Sequence, residues 1–240
     1  MTPRKLDPVP LTLLVLAVVG GAGAAALDGA DRGWALLVLI PMIAIIGVSM
    51  LRTRLRQRRA TVTDWATRNG WSAVAAPDGP WRGSPPFSEP TGRASEELGR
   101  SYRGFPVSSF TWTWNGRRRP GTRTTPQHQR HVIVLELPGD GPVVQLTPRI
   151  LASTLELMPE SPTGDQRFDA VWHVGSAQPG AVALDEQLRN RLLREDAQLQ
   201  VLRFEGGSAL SWTVGETDVE RILPRVATLW ALADLLGRTA

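Results

Sequence analysis

Two uncharged apolar runs open the chain: residues 9–27, VPLTLLVLAVVGGAGAAAL, and residues 34–51, WALLVLIPMIAIIGVSML. As helices rising 1.5 Å per residue, each is long enough to cross about 30 Å of hydrocarbon. Only DGADRG joins them, so the pattern predicts a transmembrane helical hairpin with both ends on one side. Pro41 is acceptable there, because neighbouring groups in a bundle can satisfy the carbonyl it frees. Gly20, Gly21 and Ala24 belong to a small-residue stretch on which the helix of a membrane protein partner can pack closely. A signal peptide ending at AGAAA is the rival reading of the first run, and it leaves the second run intact.

The side follows from the arginines. LRTRLRQRR after the second run carries Arg52, Arg54, Arg56, Arg58 and Arg59, Arg4 and Lys5 precede the first run, and the turn has Arg32 alone. Lys and Arg flanking a span are retained in the cytoplasm, so the expected location is a bacterial inner (cell) membrane, multi-pass, with both termini cytoplasmic. The same guanidinium groups are candidates for contact with anionic headgroups, at roughly 1 kcal/mol each.

Beyond residue 59 the periodicity changes to that of a globular domain. Val62, Trp65, Ala66 and Asn69 share a helical face that Gly70 ends, and a strand follows over 71–75. Residues 76–99 hold five prolines and four glycines without periodicity, predicting an irregular surface loop pinned by Trp81 and Phe87. In residues 102–114, Phe110, Trp112 and Trp114 alternate with Thr111 and Thr113, as in a half-buried strand ending at the Asn115-Gly116 turn. After a long basic segment, HVIVLELP reads as a central strand, and GDG joins it to PVVQLTP as a hairpin.

Further on, RILASTLEL predicts a helical turn. Phe168, Ala170, Trp172 and Val174 share a strand face, and Leu184, Leu188 and Leu192 mark an amphipathic helix. Two strands flank Gly206-Gly207. The last segment starts at a Thr217/Glu220 capping box and buries Ile222, Val226, Leu229, Trp230, Ala233 and Leu236. Pro224 kinks this helix or sets its start, and Arg221, Arg225 and Asp234 argue against a third span. Hairpin-linked strands with packed helices make an α+β domain. The predicted organisation is a hairpin with its basic segment over 1–59 and a soluble domain over 60–240.

Charge narrows the chemistry. The net charge is +4. Residues 1–60 hold eight basic residues against Asp7, Asp28 and Asp31, a balance of +5, so the domain carries −1. That excludes a nucleic-acid partner as the leading reading. With no cysteine, thiol catalysis and cysteine-ligated metal are excluded. His128 and His131 fall in a loop and at a strand edge, without metal-ligand spacing, and read as surface histidines. His173 and Asp169, four residues apart, are not read as a His/Asp pair. No nucleophile-elbow, P-loop, dinucleotide or zinc-protease motif stands in the chain, so no catalytic residue, metal or cofactor is assigned. Glu96-Glu97 and Asp185-Glu186 read as solvated charges, the latter at a helix start. The basic loop bearing Arg117, Arg118, Arg119, Arg123 and Arg130 is a candidate phosphate or headgroup contact. Phosphorylation of Thr122, Thr124 or Thr125 would cancel its charge.

Gly70-Trp71, Tyr102-Arg103-Gly104, HVIVLELP, Phe168-Asp169-Ala170 and Glu205-Gly206-Gly207 together resemble a group of uncharacterised bacterial proteins of actinobacterial type. Those have two N-terminal transmembrane helices and a cytoplasmic α+β domain. The likeness spans roughly residues 60–238 and implies no activity, cofactor or catalytic residue. Arginine outnumbers lysine 26 to 1, in keeping with a high-GC genome. The expected function is therefore non-catalytic binding or scaffolding by a membrane-tethered domain. A tethered hydrolase would instead need a pocket gathering His131, Glu136, His173 or Asp169, and a third reading makes the basic loop 117–130 an anionic-lipid sensor.

Overall fold

The computed structural model describes residues 32–116, 126–152, 158–176 and 184–237, and of residues 32–40, 55 and 59 the backbone only. The chain divides into two units, Met1–Ala60 and Thr61–Ala240. In the first, helix α1 runs unbroken from Arg32 through Pro41 and continues to Arg68 in the second, so residues 34–51 are helical throughout. Met42, Ile43, Ile45, Val48 and Leu51 are 38–66% exposed. Among the described residues no helix is long and apolar enough to cross a membrane. Side chains are described only from Pro41, and from there the apolar run reaches Leu51, about 16 Å of helix against about 30 Å of hydrocarbon. The first predicted span, with Gly20, Gly21 and Ala24, lies outside the described residues.

The second unit is built on one antiparallel sheet. Its strands are β1 Ser72–Ala73, β2 Arg93–Tyr102, β3 Phe105–Asn115, β4 Gln127–Glu136, β5 Val144–Pro148, β6 Trp172–Ser176, β7 Val201–Glu205 and β8 Ser208–Val214. They lie in the order β1-β2-β3-β4-β8-β7-β5-β6. The α+β expectation holds for this unit, and the pairing corrects two parts of it.

HVIVLELP and PVVQLTP do not form a hairpin. β4 pairs with β3 and β8, while β5 pairs with β7 and β6. A strand buried on both faces needs neighbours on both edges, and the later β7–β8 hairpin, Glu205↔Ser208 at its tip, fills the gap. Second, RASEELG is not loop but the start of β2. The register slips between Ser95 and Leu98, and Glu96 sits there at φ 55°. This bulge hides the strand's alternation from a period-two reading.

Each sheet face has its own cover. Helix α6, Val219–Leu235, packs on β4 and β8 and sets Ile222, Val226, Leu229, Leu232 and Ala233 against Ile133, Leu135 and Ala209. Val62 and Ala66 of α1 close the same core near Trp71 and Leu98. α2, Arg149–Ala152, and α5, Glu195–Gln198, are single turns. α4, Glu186–Leu192, is capped by the Asp185 carboxylate accepting from Leu188 N, and it buries Leu188 and Leu192.

Phe168 and Trp172 do share a buried face, but not on one strand. α3, Gln166–Val171, carries Phe168, β6 starts at Trp172, and the rings stack 6.4 Å apart. Four residues of helix align side chains as well as an even strand spacing does. On the other sheet face, Trp81 and Phe87 of the 76–92 segment pack in one cluster with Phe110, Trp112, Val132, Val134, Leu210 and Trp212. Phe87 meets Trp212 edge-on at 5.5 Å. Polar ties hold this segment too: Ser84 Oγ donates to Glu205 Oε1 at 3.4 Å, and Arg203 Nη1 donates to Pro85 O at 3.5 Å. The Arg203–Glu205 ion pair closes to 2.8 Å.

Candidate functional site

Strand β3 was expected to expose one face, yet Ser109 and Thr111 on that face are buried. The side chains opposite Phe110 and Trp112 point under α6, where alternation places Ser109 of β3, His131 of β4 and Ser211 of β8 on one surface. Register puts β3 Ser109 against Ile133, and β8 Ser211 against that same residue. Polar groups thus surround the middle strand. From above, α6 brings Arg225 down between them, buried with them.

The contacts form one network. Arg225 Nη1 donates to His131 Nδ1 at 2.9 Å, and Nη2 donates to Ser211 Oγ at 2.8 Å and to the His131 carbonyl at 3.3 Å. Arg225 Nε donates to Gln200 Oε1 at 3.1 Å, and Ser211 Oγ donates to that same oxygen at 2.5 Å. On the far side of the ring, His131 Nε2 lies 2.9 Å from Ser109 Oγ. Beside it, Thr111 Oγ1 is 2.9 Å from Thr217 Oγ1 and 3.1 Å from Glu96 Oε2.

Ser109 and His131 have the separation of a nucleophile and its base, but their chemistry is set by Arg225. A guanidinium only donates. His131 Nδ1 must therefore accept, which leaves the ring proton on Nε2 and makes that nitrogen the donor to Ser109. A base needs its lone pair on the hydroxyl and an acceptor such as a carboxylate behind the ring; here both are reversed. The arrangement locks a neutral imidazole and cannot take the Ser109 proton. Burial pushes the Arg225 guanidinium down to about 9, with Asp218 acting to raise it and Arg221 to lower it. It keeps its charge at pH 7.

The residues that would have made a hydrolase do not converge. β4 and β6 stand four strands apart, about 19 Å at 4.8 Å per strand, so His131 and His173 are remote. His173 is buried and tied to Met158 O at 3.0 Å, with Glu160 3.6 Å away. Asp169 caps the adjacent loop, accepting from Thr163 N and Gly164 N, and Glu136 is exposed at the end of β4. The expectation of surface histidines is overturned. Both His128 and His131 lie in β4, three apart and so on opposite faces. His128 stacks on Trp114 at 5.2 Å and His131 is fully buried. Glu96 and Glu97 are also not solvated loop charges: Glu97 Oε2 accepts from Ala76 N, and Glu96 holds Thr111.

Among the arginines, Arg52, Arg54 and Arg56 are exposed along α1 and Arg58 is half-buried; nothing is described of the Arg59 side chain. Arg117, Arg118, Arg119 and Arg123 lie outside the described residues. Arg130 is not a loop residue: it is buried in β4, its guanidinium 5.4 Å from the Trp114 ring. Arg225 was read only as a charge interrupting an apolar segment. The signal that finds it is its spacing, since Ile222, Arg225, Val226 and Leu229 occupy one helical face.

No protein-family model matches the chain, and no curated protein matches it. Among solved structures the chain is similar to the crystal structure of the mycobacterial trehalose monomycolate transport factor A, TtfA. The identity is 14% and the TM-score 0.46, over 76% of this chain and 96% of that one.

Proposed function

We propose that this protein is a membrane-tethered binding module: an N-terminal hairpin holds it in a bacterial inner membrane, and the sheet domain works from the cytoplasmic side without catalysing a reaction. One observation carries the reading. Met42, Ile43, Ile45, Val48 and Leu51 lie on a helix with little packed against them, 38–66% exposed, and Arg52, Arg54 and Arg56 follow, also exposed. A helix apolar on its sides needs hydrocarbon around it. Guanidinium groups directly after it suit the anionic headgroup layer and the cytoplasmic side. The non-catalytic half rests on the inverted Ser109–His131–Arg225 arrangement.

The test uses paired reporters fused after Ala240 in the full chain. A fluorescent protein that matures only in the cytoplasm should be bright, and a phosphatase active only in the periplasm should be silent. Phosphatase activity, or release of the chain by carbonate wash, would overturn the proposal.

A further inference from the structure

Arg225 borders open space. A cavity of about 150 Å³ lies between the start of α6, the α5 turn and the end of β8, and Arg225, Gln200, Thr213, Arg221, Leu199 and Pro224 line it. Gln200 and Thr213 are themselves partners of the guanidinium, at 3.1 and 3.4 Å. Nε, through Gln200, and Nη1, through Thr213, are thus each tied to the cavity wall.

The charges of that wall do not balance. Asp196, also on it, is held by Arg191 at 2.8 Å and Arg194 at 3.7 Å. Arg221 at the mouth pairs with Asp218 at 3.2 Å. Arg225 has neutral hydrogen-bond partners only: among the described residues no carboxylate lies within 4 Å of it, and Asp218, whose charge acts on it from farther off, is paired with Arg221, although Arg225 is the most deeply buried of the three. Buried charges are ordinarily paired, because desolvation otherwise goes uncompensated. The charged side chains that line the cavity, Asp196, Arg221 and Arg225, carry a net +1, so one negative charge is missing from the cavity side.

We infer that the cavity is a binding site for a small monocarboxylate with a short aliphatic body. The carboxylate takes the Nη1 N–H that now makes the longest contact of the set, to Thr213, together with the Thr213 hydroxyl. Arg221 guards the entrance. Leu199 and Pro224 cover the aliphatic part. A cavity of about 150 Å³ accommodates a ligand of roughly six non-hydrogen atoms. That matches a four-carbon acid with one end at the mouth. A phosphate would bring a second charge that the wall does not need. The site lies wholly within the sheet domain, so it stands or falls separately from the membrane proposal.

The experiment titrates the detergent-solubilised full chain with sodium butyrate at constant ionic strength, by calorimetry and thermal melting. Parallel titrations use 1-butanol and inorganic phosphate. Butyrate should bind with a dissociation constant on the order of 1 mM, as a ligand of this size allows, and raise the melting temperature. 1-Butanol should not bind. Arg221→Ala should weaken butyrate about fivefold, the most that an exposed ion pair supplies. Arg225→Met should abolish binding. Leu199→Trp, at an exposed position, should block the mouth while the melt of the free protein is kept, so the inference stays testable should Arg225→Met fail to fold. Absence of a butyrate shift, equal binding of 1-butanol, equal binding of phosphate, or unchanged binding in Leu199→Trp would each overturn it.

Discussion

The sharpest consequence of the buried network concerns Arg225→Ala. Truncation removes the donors that serve His131 Nδ1, the His131 carbonyl, Ser211 Oγ, Gln200 Oε1 and Thr213 Oγ1. These groups are buried or half-buried beneath α6, where water reaches them poorly. Stranding several buried acceptors and opening a cavity, offset in part by losing the desolvated cation, should cost about 3–5 kcal/mol. For a domain of this size that is a fall in melting temperature of about 6–20 °C.

Arg225→Met is the informative partner variant. It keeps the stem that packs between Ile222 and Leu229 and removes the charge whose desolvation depresses the guanidinium to about 9. It should cost clearly less than Arg225→Ala, because both variants remove the buried cation but only methionine fills the space of the stem. Urea unfolding of the full chain in detergent, followed by tryptophan fluorescence, measures both. An Arg225→Ala cost below about 1 kcal/mol would refute the network's structural role, and equal costs for the two variants would refute the packing role of the stem.

Three further outcomes follow. The cap of α6 is Asp218, whose carboxylate accepts from Glu220 N, rather than Thr217, whose hydroxyl is spent on Thr111. Asp218→Ala should therefore cost about 1 kcal/mol by equilibrium unfolding, and a neutral result would return the cap to Thr217. Burial acts to raise the Asp196 carboxyl, but the Arg191 hydrogen bond and charge, the Thr228 hydroxyl and Arg194 together hold it below its ordinary value. A depressed acid contributes stability above its unfolded pKa and loses it as pH falls through the folded one. Asp196→Asn should thus flatten the acid limb of stability below about pH 4, by a few tenths of a kcal/mol for so exposed a carboxylate; an unchanged limb would contradict the shift. Finally, a Cβ at Gly92 would stand 2.1 Å from Trp112 Cζ2. Gly92→Ala should displace the indole and destabilise by about 1–3 kcal/mol, whereas a melt within error of the parent would show that the segment yields.

What could be read from residues alone was whatever depends on near neighbours in the chain. The helix through residues 34–51, the tip of the β7–β8 hairpin at Gly206-Gly207, the Leu184, Leu188 and Leu192 stripe and the buried Trp81 and Phe87 all follow from local spacing. Three things needed the tertiary structure. The insertion of β7–β8 between β4 and β5 pairs strands some 70 residues apart, and no short-range pattern encodes it. Ser109, Thr111 and His131 look solvent-facing because alternation distinguishes two faces without saying what covers either. Only the packing of α6 onto β4 and β8 buries that face, and with it the polar groups. Arg225, likewise, reads as an interruption of an apolar stripe until Gln200, Ser211 and His131 gather around it, because a charge is admitted to a core only when partners from distant segments arrive together.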